Sequence, residues 1–232
     1  IIQASDFNIN PSFSTLRLLA LKVSPVEVIS DIISRDQFCL PKRYMGDLIH
    51  LIASTIHHTN HHDLDGFLMF IDFEKAFDSV NHEFMHQMLI DHGLPSEYIR
   101  WIMLAFTQTQ ACCIINGKKG PFFDLPGGGR QGDNLYPLIF AIVMQALNST
   151  IKSHNPTGIQ LADGTNFDTG QYADDSTLGG SSLADYNKIK SALDVFCRAS
   201  GMKINWSKSI LSIRIVIVIK VSTVAYGYFL CR

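Results

Sequence analysis

The chain has 232 residues, of which 47% are hydrophobic and 17% charged, and its formal net charge is −2. This composition can bury the core of one domain and excludes a low-complexity or disordered chain. A net charge near zero is unusual for a domain that binds nucleic acid, because lysine and arginine make most phosphate contacts.

The five cysteines are odd in number and show no CxxC spacing, which argues against a disulfide framework or a zinc ribbon. The N-terminal residues lack the charged and apolar pattern of a secretory signal. The apolar run 215–219 is too short and too closely flanked by charge to span a membrane. We therefore expect an intracellular protein of the cytoplasm or nucleus, neither secreted nor membrane-bound.

The first predicted elements lead to a buried strand. Phe13–Ile33 is predicted to hold one or two short helices, and Met45–His58 a longer one with apolar residues at three- and four-residue steps. The continuous apolar run Phe67–Ile71 predicts a strand buried on both faces. Asp72 would then stand at the C-terminal end of this strand.

Two helices and a hairpin are predicted next: His82–His92, Ser96–Phe106 with Ser96 as its N-cap, and strands Ala111–Asn116 and Pro121–Leu125 joined at Asn116-Gly117. The hairpin is predicted to be buried, with Cys112 and Cys113 acting as small packing residues.

Helices and a second hairpin alternate in the remaining half. We predict a helix at Leu138–Leu147, a short hairpin at Gln171–Leu178, and an amphipathic helix at Leu183–Ser200 that ends at Gly201. Strands and helices in this order indicate an α+β fold.

Adjacent acids in the second hairpin are the strongest sign of chemistry. Acidic residues are depleted in strands, yet Asp174 and Asp175 lie within one, and a hairpin turn can bring both to the same sheet edge. With Asp72 they would form three mutually repelling carboxylates, which a divalent cation such as Mg²⁺ would stabilise. A solvated turn, where aspartate is common, is an equally good interpretation of this pair alone.

Four segments in fixed order carry a family resemblance: Phe70–Val80 (FIDFEKAFDSV), Gly129–Phe140 (GRQGDNLYPLIF), Tyr172–Asp175 (YADD) and Ala199–Ser209 (ASGMKINWSKS). Together they resemble the reverse transcriptase domain of non-long-terminal-repeat, LINE-like retrotransposons. The resemblance implies an α+β polymerase palm, an antiparallel sheet backed by helices, at 66–209. It also implies partial fingers at 1–65, no thumb, and a non-family apolar tail at 210–232.

The resemblance also implies roles for the acids and for one aromatic residue. Asp72 and Asp174 correspond to the metal ligands of the family, and Asp175 to the companion acid beside the primer end. The Phe73 backbone carbonyl lies beside the same metal, of which two ions are expected, Mg²⁺ or alternatively Mn²⁺. Phe77 corresponds to the aromatic that excludes a 2′-hydroxyl from the nucleotide site, although its alternative role is core packing.

The same resemblance implies site roles for further residues. Gln131 and Gly132, with Arg130, correspond to a loop that touches nucleotide and template. Lys208 or Lys203 lies in the segment that can protonate the leaving pyrophosphate, and a surface lysine is the alternative for each. Arg43 is the weakest candidate, because the stretch Gln37–Arg43 is one residue shorter than the family pattern and lacks its two glycines.

The implied activity is RNA-directed DNA synthesis from an RNA template, a DNA primer and dNTPs. The residues leave two alternative functions open. A catalytically silent remnant is favoured by the altered stretch before Arg43, by the absence of the family's Arg-Pro-Ile segment and by the non-family tail at 210–232. The family also usually has proline where this chain has Asn134, and serine where it has Tyr136. A binding module without chemistry is disfavoured by the intact acids, because carboxylates repel phosphates unless metal intervenes.

Overall fold

The computed structural model describes residues 33–40, 42–107, 109–125, 127–129 and 132–213, together with the backbone of 217–220. The helices predicted within Phe13–Ile33 lie outside the described residues. No helix in the described part of the chain is both long and apolar enough to cross a membrane.

The helices are α1 Met45–His61, α2 Ala76–Ser79, α3 His82–Asp91, α4 Ser96–Phe106, α5 Tyr136–Ser153 and α6 Leu183–Ser200. The strands are β1 Phe67–Ile71, β2 Gln110–Ile115, β3 Lys118–Asp124, β4 Ile159–Gln160, β5 Asn166–Phe167, β6 Thr169–Tyr172, β7 Asp175–Gly180, β8 Ile210–Ile213 and β9 Ile217–Lys220. The fold is α+β, as the sequence predicts.

A five-stranded antiparallel sheet with β1 at its centre organises the fold. The strand order is β6-β7-β1-β8-β9, and two small two-stranded sheets, β2-β3 and β4-β5, lie outside it. In β1, Leu68 and Met69 are both fully buried although they point to opposite faces. The apolar run therefore forms a strand covered on both sides.

Each face of the sheet packs against different elements. Met69 and Ile71 join the main core with α3, α4, α5 and α6, whereas Leu68 packs with Ile159, Phe167 and the apolar side of α1. Burying a side chain of this size stabilises the fold by about 1.5–3 kcal/mol. The two-sided burial holds β1 in one register, because a one-residue slip would exchange its two faces.

Helix ends follow local hydrogen bonding, and two predicted ends are corrected. Asn81 caps α3, and α6 ends at Gly201 with a left-handed φ of 77°. Ser96 is the first residue of α4 and makes no cap hydrogen bond. Helix α5 begins two residues earlier than predicted, because Asp133 accepts the N–H groups of Leu135 and Tyr136.

The β2-β3 hairpin forms as predicted, but its predicted burial is wrong. Asn116 and Gly117 both have left-handed φ, 50° and 77°, which a two-residue turn of this type requires. Ile115 and Phe122 are 71% and 62% exposed, and Cys113 is exposed as well. The two strands pair only with each other, and most of their residues are exposed.

The sheet continues past Ser209, where the sequence analysis ended the palm. Strand β8 pairs antiparallel with β1, with Phe70 opposite Ile210, and β9 pairs with β8. Leu211 is fully buried in the main core. Residues 210–213 are therefore part of the central sheet rather than a separate tail.

Asp185, at the start of α6, generates a pH-dependent stability prediction. Burial alone would raise the pKa of its carboxyl, but hydrogen bonds from Thr157 and Ser181, with Lys188 nearby, outweigh burial and hold the pKa below its usual value. The stabilisation is therefore present above pH ~4 and is lost as the pH falls through the lowered pKa.

We expect Asp185→Asn to lower the free energy of unfolding at pH 7 by about 1–3 kcal/mol, because an amide offers one acceptor where the carboxylate offers two. Urea unfolding across the acid range measures the effect, with the exposed Asp194→Asn on the same helix as control. The deficit should shrink as the pH falls below ~4. A deficit independent of pH would contradict the account.

Candidate functional site

The three predicted acids lie at one end of the central sheet. Ile71 pairs with Ser176 across β1 and β7, so the next residue of each strand toward this end, Asp72 and Asp175, lie side by side. Tyr172 pairs with Asp175 across β6 and β7, which leaves Ala173 and Asp174 as the turn. The strand pairing therefore places all three acids at the same edge.

The three acids also act on one another electrostatically. The pKa of Asp175 is raised, first by burial and then by the negative charges of Asp174 and Asp72. Like charges at short range disfavour each other's ionised form. The arrangement is thus one that a cation would stabilise.

The donor set fits a hard divalent cation. Carboxylate oxygens are the ligands that Mg²⁺ prefers, whereas zinc sites usually contain histidine or cysteine. Within the described residues, no group of three or more His, Cys, Asp or Glu side chains is arranged so that it could hold a metal ion.

Backbone hydrogen bonds fix the position of Asp72. Its N–H donates to the hydroxyl of Ser209 at 3.1 Å, and its carbonyl accepts the N–H of Asn205 at 2.8 Å. Ser209 is fully buried and donates to the Asn205 carbonyl at 2.9 Å. The turn after α6 therefore holds the end of β1 from both sides.

Phe73 can face the site only with its backbone. Its side chain is buried and packs edge-on against Phe196, with ring centroids 6.1 Å apart. The residue still lines the cleft beside Asp72. This geometry suits the carbonyl role expected for Phe73 and leaves no role there for its ring.

A cleft of ≈ 630 Å³ opens beside Asp72. Its lining residues come from the end of β1, the start of α2 and the segment after α6: Asp72, Phe73, Glu74, Lys75, Ser79, Gly201, Lys203, Asn205 and Lys208. The structure thus brings Lys203 and Lys208 to the same cleft as Asp72. Three lysines against two acids make the lining suitable for an anionic ligand.

Lys75 is a cleft residue that the sequence analysis missed. It precedes α2 with a left-handed φ of 46°, a conformation that residues with a Cβ rarely adopt. A lysine carries no sequence signal for that backbone conformation. Only the folded turn places it at the cleft.

Phe77 is both half-buried and part of an aromatic stack. Its ring stacks on Phe140 with centroids 4.4 Å apart and lies 5.8 Å from the ring of Tyr136. Gly129 donates its N–H to the Phe77 carbonyl at 3.0 Å, and a Cβ on this glycine would lie 2.1 Å from the Tyr136 ring. The glycine loop therefore packs directly on the segment that carries Phe77.

The remaining predicted site residues are Arg130, Gln131, Gly132 and Arg43. Arg130 and Gln131 lie outside the described residues, whereas the adjacent Gly132 has a left-handed φ of 84° with open space where a Cβ would stand. Arg43 does not line the cleft, and its guanidinium donates to backbone carbonyls of the preceding loop, including that of Gln37 at 2.7 Å. Lys42, at the position of a family glycine, has a left-handed φ of 67°.

Comparison with protein families gives a match over nearly the whole chain. The family described as "Reverse transcriptase (RNA-dependent DNA polymerase)" matches residues 14–226. This range covers all the acids and the cleft, and it extends through β8 and β9.

Related sequences come from retrotransposons. The chain is 24% identical over 208 residues to the "Transposon TX1 uncharacterized 149 kDa protein" of Xenopus laevis, covering 89% of this chain and 15% of that protein. It is 23% identical over 174 residues to the "Retrovirus-related Pol polyprotein from type-2 retrotransposable element R2DM" of Drosophila melanogaster, covering 75% of this chain and 16% of that protein. The chain thus spans less than a fifth of the length of these relatives.

Solved structures with the same fold include telomerases. Apo telomerase from Candida tropicalis, truncated from its C-terminal domain, matches with a TM-score of 0.60 at 12% identity over 88% of this chain and 41% of that chain. Telomerase from Candida albicans in complex with a TWJ fragment of telomeric RNA matches with a TM-score of 0.56 at 12% identity, covering 85% and 33%. At this identity the likeness concerns the fold.

Proposed function

Because the chain belongs to the reverse transcriptase (RNA-dependent DNA polymerase) family, we propose that it forms the palm of an RNA-directed DNA polymerase. Its substrates are a DNA primer, an RNA template and dNTPs. The observation that carries the proposal is the strand pairing that sets Asp72 beside Asp175, with Asp174 in the adjoining turn. Of these three acids, Asp72 also lines the cleft.

The family uses divalent metal ions, and we assign the ligands to the sheet edge. Asp72 and Asp174 would hold two ions, Mg²⁺ or Mn²⁺, with the Phe73 carbonyl beside them and Asp175 facing the primer end. When bound, such ions stabilise the charge that develops on the attacking and leaving oxygens of an in-line phosphoryl displacement. The central sheet fixes the ends of β1 and β7, and with them the positions of the carboxylates.

Bond changes in the reaction assign a role to the cleft lysines. The primer 3′-hydroxyl gives its proton to solvent and its oxygen bonds to the α-phosphorus of the dNTP, while the bond from that phosphorus to the oxygen bridging to the β-phosphate breaks, so pyrophosphate leaves. Lys203 and Lys208 neutralise its charge, and one of them supplies its proton. Lys75, which also lines the cleft, adds a third positive charge.

The loop before α5 would complete the nucleotide site. Gly132, with its left-handed backbone and open side, lets the chain approach a ligand closely. Its neighbours Arg130 and Gln131 are proposed to contact the nucleotide and the template. We also propose that the protein is located inside the cell, in the cytoplasm or the nucleus.

A catalytically silent remnant is the second candidate, and one observation favours it. Lys42 holds a left-handed φ at a position where the family pattern has glycine, which costs a residue with a Cβ roughly 1–2 kcal/mol. A single unfavourable replacement of a family glycine is what a degenerate copy would carry. Primer extension distinguishes the two candidates.

Asp174→Asn should abolish Mg²⁺-dependent primer extension on an RNA template, lowering kcat by at least about 10³-fold, because an amide cannot replace an ionised metal ligand. The matched control is Asp163→Asn, in the exposed turn between β4 and β5, which should keep wild-type activity. A folded wild-type protein that extends no primer would instead support the remnant.

Phe77→Val should let ribonucleotides enter while dNTP incorporation continues, because a smaller side chain leaves room for a 2′-hydroxyl. The ratio of kcat/KM for dNTP to that for rNTP should fall by about 10²-fold. The control is Phe84→Val, another half-buried aromatic, which packs on Phe196. It should lower Tm without changing the ratio. A Phe77→Val protein that melts lower and keeps the parental ratio would assign Phe77 to packing alone.

A further inference from the structure

The turn that presents the acids adopts a conformation that needs external support. Ala173, directly before Asp174, has a φ of 54° in the two-residue connection between β6 and β7. A residue with a Cβ adopts this left-handed conformation at a cost in free energy that glycine avoids. Contacts from outside the hairpin must therefore hold it.

One buried side chain clamps that residue at two points. The amide oxygen of Gln37 accepts the N–H of Ala173 at 3.1 Å, and its amide nitrogen donates to the Ala173 carbonyl at 3.4 Å. The same oxygen accepts the N–H of Cys39 at 3.1 Å, and Gln37 is fully buried. If the Gln37 amide were flipped, its nitrogen would face the N–H groups of Ala173 and Cys39. The hydrogen bonds therefore fix the orientation in which its oxygen faces them.

The clamp is itself held against the sheet. Phe38 donates its N–H to the Gln171 carbonyl at 2.7 Å, and Gln171 donates to the Asp36 carbonyl at 2.7 Å, so this segment pairs in parallel beside β6. Arg43 donates to the Gln37 carbonyl at 2.7 Å and to the Ile33 carbonyl at 3.0 Å. The side chain of Gln37 therefore approaches the turn from a fixed backbone.

A second anchor ties the same segment to α5. The carboxylate of Asp36 forms an ion pair with Lys152 and accepts a hydrogen bond from Asn148 at 3.0 Å. Both partners lie on α5, the helix that packs on the sheet. Helix, loop and acid-bearing turn are thus connected by direct contacts.

We propose that Gln37 is a positioning residue for Asp174 and Asp175: its amide holds Ala173 in the left-handed conformation and thereby sets where the two carboxylates stand. Gln37 touches neither substrate nor metal. The inference rests on the proposed function for the role of the acids and adds the group that orients them.

Three substitutions separate this role from ordinary packing. Gln37→Met keeps the size and burial of the side chain and removes the amide. Gln171→Met makes the same change at another fully buried glutamine, whose side-chain amide has no hydrogen-bond partner among the described residues. Ala173→Gly removes the need for support, because glycine takes the left-handed conformation freely.

The first readout needs neither metal nor turnover. Amide hydrogen exchange of Ala173, measured by NMR on the protein labelled with ¹⁵N-alanine, should be at least about tenfold faster in Gln37→Met, since the Ala173 N–H loses its acceptor. Gln171→Met should leave it within about twofold of wild type. Unchanged exchange in Gln37→Met overturns the proposal.

The second readout measures metal binding and primer extension, which depend on the positions of the acids. In Gln37→Met, Mn²⁺ binding measured by electron paramagnetic resonance should weaken, and kcat of primer extension should fall about tenfold to a hundredfold with KM for dNTP within about twofold. Adding Ala173→Gly should restore part of both. A variant that only melts lower, with wild-type kcat and Mn²⁺ affinity well below its Tm, assigns Gln37 to packing and overturns the proposal.

Failure of this inference is distinguishable from failure of the proposed function. If Asp174→Asn keeps primer extension, the acids are not catalytic and the proposed function fails, while the exchange of Ala173 still reports on the clamp. If Asp174→Asn abolishes extension and Gln37→Met keeps the wild-type kcat, only the positioning role is overturned.

Discussion

The register between β1 and β7 is the constraint on which the site depends. Ile71 opposite Ser176 puts Asp72 beside Asp175, and a slip of one residue would turn each acid to the other face. Burial of β1 on both faces prevents that slip, because Leu68 and Met69 pack into different cores. The apolar run Phe67–Ile71 thus fills the interior and also determines the position of Asp72 at its end.

Strained backbone is concentrated around this end of the sheet. Six described residues other than glycine have positive φ, and three of them are Asp or Asn, which tolerate it. The other three are Lys42, Lys75 and Ala173. Each lies in a segment that borders the acids or supports the loop beside them, where surrounding hydrogen bonds can hold strained conformations.

Much of this arrangement could be predicted from sequence, because local patterns determine it. The apolar run Phe67–Ile71 correctly predicts β1. The strand pairing places the predicted acids at the end of β1, and their role in a functional site stays a prediction. Burial of the β2-β3 hairpin was predicted wrongly, since a strand pattern does not say whether another element will cover it. The clamp by Gln37 was also missed, because it joins residues 136 positions apart and depends on the folded path of the loop. The resemblance pointed to that segment only through its arginine.

The central claim is that the sheet edge holds divalent metal between Asp72 and Asp174. The most direct measurement is anomalous scattering from Mn²⁺ in crystals of the protein with primer–template and a non-hydrolysable dNTP. The account predicts two peaks about 4 Å apart at these carboxylates, beside the Phe73 carbonyl, and their loss in Asp174→Asn. Mn²⁺ bound elsewhere, with Asp72 and Asp174 free of metal, would contradict it.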